Sequence, residues 1–226
     1  MMTAGLAPLS AAGGLKLVLA SNNAKKLAEL QALLGGLGIE LVRQGELGVA
    51  EADEPHATFL ENALAKARHA AAATGLPAIA DDSGLCVDAL AGAPGVVSAH
   101  YAVVPPAAAG QAREDFRRVQ DEANNALLLE RLAGQADRRA AFCCTLVALR
   151  SAADPQPLVA TGRWPGEILA TRRGMGGFGY DPLMLIREFA KTVAELPAAT
   201  KNAHSHRARA AAQMRELLRE AWHLAP

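Results

Sequence analysis

Two adjacent acids, Asp81 and Asp82, follow a short apolar run and lead into Ser83-Gly84, while Glu51, Asp53 and Glu54 form a second acidic segment upstream. Carboxylates without thiolates or paired imidazoles suit a hard cation such as Mg²⁺, which takes one or two protein carboxylates together with substrate phosphates. An Asx-type turn with solvated carboxylates accounts for the same four residues. Earlier in the chain, Ser21-Asn22-Asn23-Ala24-Lys25-Lys26 stands between an apolar run and a helical pattern. Free N–H groups and the helix dipole favour a phosphate there, with Lys26 adding a point charge. Helix capping alone explains these residue types too, although the chain has only six lysines beside seventeen arginines, so a lysine pair is informative.

Two later segments could face the same ligand. Gly174-Met175-Gly176-Gly177-Phe178-Gly179-Tyr180-Asp181-Pro182 formally contains G-x-G-x-x-G. It follows polar Thr171-Arg172-Arg173 instead of a strand and meets Pro182 where a helix should continue, so it is no dinucleotide turn. It is either a loop offering two aromatics and an acid to a base or a plain connection with Phe178 in the core. Lys201, His204, Ser205, His206 and Arg207 gather at the start of the last helical pattern. They are either a solvated helix end or hydrogen-bond donors to a ligand. His204 and His206, two apart, do not share a helix face, which disfavours a metal pair.

The elements that position these residues can be read from periodicity. Leu15 to Ala20 makes a buried strand, and Leu27, Leu30, Leu33, Leu34 and Leu37 recur at helical spacing before Gly38. Thr58 and Glu61 form a capping box that opens an Ala-rich helix closed by Gly75 and Pro77. Pro77 to Ala80 is a short strand running into the Asp81-Asp82 loop. Glu114 to Leu132 is helical, Arg139 to Arg150 and Pro157 to Trp164 are the arms of a hairpin, and Ser205 to Trp222 is a final helix. These alternations predict an α/β fold with a mixed central β-sheet flanked by helices.

Composition narrows the partners. The 226 residues are 51% apolar, and Lys+Arg and Asp+Glu balance at 23 each. That excludes the basic footprint of a protein working directly on nucleic acid or an anionic membrane, and points to a small ligand. No apolar run nears the roughly 18 residues needed to span a bilayer. Residues 1–14 read as a disordered Ala/Gly-rich tail, with 15–226 as a single domain. Cys86, Cys143 and Cys144 give neither a disulfide framework nor a CxxC site, which suits a reducing cytoplasm.

Taken in order, these segments, with Gly92-Ala93-Pro94-Gly95, Asn62-Ala63 and Lys66, and Ala194-Glu195-Leu196, resemble the inosine triphosphate pyrophosphatase family, the dITP/XTP pyrophosphatases. The likeness runs from about Leu15 to the final helix. It implies an elongated two-lobed molecule with a deep cleft, usually a homodimer, that hydrolyses ITP, dITP and XTP with Mg²⁺ to nucleoside monophosphate and pyrophosphate. It further implies that Ser21 to Lys26 and Lys66 hold the triphosphate, Glu54 and Asp82 serve the metal and its water, and Ser83 contacts substrate. Phe178 would stack on the purine beside Gly179, Tyr180 and Asp181, while Lys201, His206 and Arg207 read the base edge. Asp82 is then the general base. Three departures stand out: His100 replaces an Arg usual in the family, Met184 a usual Phe, and Val103 to Arg118 is longer. A Maf-type pyrophosphatase and a catalytically silent nucleotide-binding module are the competing expectations.

Overall fold

The strands form because their apolar residues must be covered on both faces of one sheet. The computed structural model describes residues 14–108, 110 and 112–224. The tail expected over 1–14 lies, apart from Gly14, outside the described residues. In chain order the elements are β1 (Leu15–Leu19), α1 (Ala24–Leu33), β2 (Ile39–Arg43), α2 (Phe59–Thr74), β3 (Ala78–Val87), α3 (Arg113–Arg131), β4 (Arg139–Leu149), β5 (Leu158–Ile168), β6 (Met184–Ile186), β7 (Lys191–Thr192), α4 (Ala198–His204) and α5 (His206–Trp222). One seven-stranded sheet runs β2-β1-β3-β4-β5-β6-β7. β1 is parallel to β2 and β3, and every later pairing is antiparallel, so the sheet is mixed as expected.

Helices cover both faces. α1 and α5 bury Leu30, Leu34, Ala211, Met214 and Leu218 against Leu17, Leu19, Ile79 and Leu146. α2 lays Ala63, Ala67, Ala70 and Ala71 on Val18, Ala78, Ala80 and Val147, where small side chains let the helix sit close. A third cluster packs Leu128 and Leu132 of α3 with Leu85, Phe142, Trp164 and Tyr180 at the far end of the long strands. Thr58 caps α2 as expected, its hydroxyl accepting the Glu61 N–H at 3.2 Å, but the Glu61 carboxylate accepts from that hydroxyl at 2.7 Å and not from the Thr58 N–H that a capping box would use, and Gly75 ends the helix at φ 68°.

The acids do not lie in a loop after a short strand. β3 continues through Asp81-Asp82-Ser83-Gly84, with Asp81 opposite Leu146 and Asp82 opposite Thr145 on β4. The ladder with β4 supplies the backbone partners, and ion pairs satisfy the carboxylates, so tertiary context overrides the poor strand propensity of Asp. Strand alternation then sends the two acids to opposite faces. Asp81 joins the α1 and α5 side and Asp82 the α2 side. β2, β6, β7 and α4 were not expected; each is short enough to show little periodicity of its own.

Gly162 on β5 fixes the height of α5. A Cβ there would lie 1.9 Å from the His206 carbonyl oxygen and 2.7 Å from the Ala210 nitrogen, both backbone atoms. Gly162→Ala should therefore lift the start of α5 at a cost of about 2 kcal/mol, within the overpacking range. Thermal melting checks this: a fall in Tm of roughly 4–8 °C is expected for a chain of this size, and an unchanged Tm contradicts the tight approach.

Candidate active site

The strand ends, α1, α2, the 172–182 loop and the α4–α5 junction surround a cavity of about 470 Å³. Its acidic side is organised by Lys66, which is buried on α2. The ammonium donates to Asp82 Oδ1 at 2.9 Å and to the Asp81 carbonyl at 3.1 Å, and lies 3.1 Å from Glu54 Oε2. All three of its donors are thereby used. Asp82 Oδ2 is buried with no hydrogen-bond partner among the described residues. Burial, reinforced by nearby Glu54 and only partly offset by Lys66, pushes the Asp82 carboxyl up to about 6. Burial also works to raise Glu54, but Lys66 outweighs it and draws that group below its usual range.

An unsatisfied carboxylate oxygen beside a half-exposed glutamate is a donor set that fits a hard divalent cation. No cluster of three or more His, Cys, Asp or Glu side chains able to hold an ion occurs among the described residues. A cation bound here would take Glu54 and Asp82 and draw its remaining ligands from phosphate and water.

Asp81 is a different kind of acid. It is 1% exposed. Its Oδ1 lies 2.7 Å from Lys26 Nζ and also accepts the Ser83 hydroxyl at 2.7 Å, and its Oδ2 takes Arg207 Nε at 2.7 Å. Burial would raise its pKa, yet Arg207 and Lys26 together hold it well below the carboxylate range. Asp81 is thus a fixed negative charge that holds two cations. Arg207, also buried, is pinned from its other end by Glu29 at 2.5 Å. His206 beside it stacks on Phe142 with ring centroids 5.2 Å apart. Burial and the Arg207 charge keep its imidazole neutral, and its Nδ1 is buried without a partner among the described residues. The ring therefore presents one donor and one acceptor.

At the other wall, Phe178 is 37% exposed, so it faces the cavity and does not fill the core. Asp181 orders the loop by accepting the Phe178 N–H at 3.0 Å and Lys201 Nζ at 2.7 Å. That places the Lys201 ammonium 4.4 Å from the Phe178 ring centre. Gly177 is required here: its φ is 77°, and a Cβ would fall 2.1 Å from Asp181 Oδ2. Tyr180 is buried and donates its hydroxyl to the Ser98 carbonyl at 2.9 Å.

A family model, the Ham1 family, matches residues 17–217. The chain belongs to the Ham1 family. Its curated relatives include a dITP/XTP pyrophosphatase of Leptothrix cholodnii, 69% identical over 212 residues, spanning 93% of this chain and 100% of that protein. Another, from Methylibium petroleiphilum, is 68% identical over 208 residues, spanning 92% and 99%. Among solved structures, a HAM1 protein from Coxiella burnetii superposes with a TM-score of 0.81 at 44% identity, covering 91% of this chain and 99% of that one. The Staphylococcus aureus Ham1 protein gives 0.78 at 34% identity, with the same coverage.

Within this Ham1 chain, the fold brings Ser21, Asn23, Lys26, Glu54, Lys66, Ser83, Phe178, Gly179, Tyr180, Asp181, Lys201, His206 and Arg207 to one cavity. Asp82 is not on its wall but is bonded to Lys66, which is. Asn23 also caps α1, its Oδ1 accepting the Lys26 N–H at 3.3 Å. Asn22 instead accepts the Gly45 N–H at 2.9 Å, and Ala24 is the exposed first residue of α1. The Lys25 side chain lies outside those described. Sequence reasoning missed Glu29, Ser98 and the polar residues of α3. A signal existed for the last: Gln120 and Asn124 share a helical stripe with Leu128 and Leu132, and a polar pair on a core-facing stripe calls for buried partners. Asn124 indeed donates to the Ser98 and Ala99 carbonyls, both at 3.2 Å.

Proposed function

We propose that this chain hydrolyses non-standard purine nucleoside triphosphates, ITP, dITP and XTP, to the monophosphate and pyrophosphate, and so cleanses the nucleotide pool. The observation that carries this is the division of one cavity into a carboxylate and lysine end, at Glu54 and Lys66 with Asp82 bonded behind Lys66, and an aromatic and amine end, at Phe178 and Lys201. The names of the curated relatives support the same substrates. Mg²⁺ is the ion we assign to Glu54 and Asp82, where it would neutralise phosphate charge and acidify water. Lys26 and the N–H groups at the start of α1 hold the triphosphate, with Ser21 and Asn23 beside them. Asp82, whose Oδ2 accepts no hydrogen bond among the described residues, takes the proton of the water whose oxygen bonds to the α phosphorus as pyrophosphate leaves. We further assign the molecule to the cytoplasm, as a homodimer of two-lobed subunits over 15–226.

Base selection follows from donor chemistry. A 6-oxo purine offers an acceptor where adenine offers an amino donor, and Lys201 and Arg207 can only donate. Arg207 is committed to Asp81 and Glu29, so Lys201, held over the Phe178 ring, is the stronger candidate for the base edge. Measuring kcat/KM for ITP, XTP, GTP and ATP on the wild type and Lys201→Ala tests this. ITP and XTP should exceed ATP, and the variant should lose about tenfold or more on ITP and XTP, the worth of one charged hydrogen bond, with little change on ATP. Equal losses on all four nucleotides would place Lys201 at the triphosphate.

A further inference from the structure

The loop that carries Phe178 is gripped by α3, whose Gln120 and Asp121 also line the cavity but take no part in the chemistry above. Gly179 joins Phe178 to Tyr180, and both of its backbone polar groups, one in each flanking peptide, end on that helix. Its N–H donates to Asp121 Oδ2 at 2.8 Å, and its carbonyl accepts from Asn125 Nδ2 at 2.9 Å. Asn125 is buried, and the same amide also donates to the Asp121 carbonyl at 2.7 Å, which fixes its rotamer. Gly179 has φ 60°, in the left-handed region that glycine enters without steric cost. Tyr180 is anchored through Ser98 and Phe178 through Asp181. The remaining freedom lies at Gly179 between them.

We propose that Asp121 and Asn125 are positioning residues for base selection: they clamp the Gly179 backbone and so hold the Phe178 ring where the base stacks. This rests on the assignment of the base to Phe178 made above. The acids and Lys66 stand on α2, β3 and the loop before α2, whereas the clamp joins α3 to the 172–182 loop, so its loss acts on base binding. Because the Phe178 ring and the Lys201 ammonium share Asp181, a loosened peptide shifts both groups that face the base.

The test compares Asp121→Leu and Asn125→Leu with Asp121→Asn, which keeps an acceptor oxygen for the Gly179 N–H. The two leucine variants should raise KM for ITP about tenfold, the worth of one buried hydrogen bond, while kcat stays within about twofold. Inorganic triphosphate has no base, and its inhibition constant should not move in Asn125→Leu, which leaves the charge of the cavity wall unchanged. Asp121→Asn should recover the wild-type KM. An unchanged KM in both leucine variants overturns the proposal, as does an equal weakening of ITP and inorganic triphosphate, which marks general damage. Amide hydrogen exchange at Gly179 reads the clamp independently of turnover and should be faster in Asp121→Leu than in Asp121→Asn. Equal exchange overturns the clamp even in an active enzyme. Absence of ITP hydrolysis by the wild type, with exchange still responding, would sink the nucleotide assignment and the base-selection role with it.

Discussion

Asp82→Asn will still bind nucleotide but turn it over at least about a hundredfold more slowly, the range for losing a general base. The substitution keeps the shape of the side chain and an oxygen for the Lys66 ammonium, now 2.9 Å from Oδ1. It removes the charge and puts an amide at a position where a carboxylate oxygen has no partner among the described residues. Asp81 cannot take over. Its carboxylate is buried between Lys26 and Arg207 and held strongly ionised by both. Glu54 is more exposed and is tied to Lys66. Steady-state kcat with a direct measurement of ITP binding decides the matter. Near-normal turnover would move proton abstraction to Glu54.

Arg207→Ala should produce the largest loss of stability of any single change in the cavity. The guanidinium is 3% exposed and joins Asp81, which is 1% exposed, to Glu29. Removing the guanidinium leaves the buried Asp81 carboxylate with Lys26 on one oxygen only and Cys144 as the weak donor to the other, and breaking a buried ion pair costs up to about 3–5 kcal/mol. For a chain of this size that corresponds to a fall in Tm of roughly 6–20 °C. Adding Asp81→Ala to Arg207→Ala should recover part of the loss, because the stranded carboxylate goes with it. A melting curve for Arg207→Ala that overlays the wild type would show that the guanidinium is dispensable to the fold and is held for the ligand alone.

Local signals in the sequence found the helices with strong ends and the long hairpin. Thr58, Glu61 and Gly75 fix α2 by contacts within a few residues, and β4 and β5 carry enough alternation to be recognised. The placement of Asp81 and Asp82 was not legible, because it depends on pairing with β4 some sixty residues on. Nor was the division of labour between them. It arises from Lys66 on one face and Lys26 with Arg207 on the other, partners 16, 55 and 126 residues away. The residue types at the cavity could be named from motifs, since each motif is contiguous. Which group holds which could not; Glu29 carries no motif, and the α3 amides Gln120 and Asn124 show only as polar members of a core-facing stripe.

The α–β cleavage of ITP is the claim on which the rest depends, and product analysis tests it most directly. Purified protein incubated with ITP and Mg²⁺ should yield IMP and pyrophosphate in equal amounts. Chelation by EDTA should abolish the reaction, and Mg²⁺ should restore it without zinc. Release of IDP and orthophosphate, or full activity in EDTA, would contradict the account.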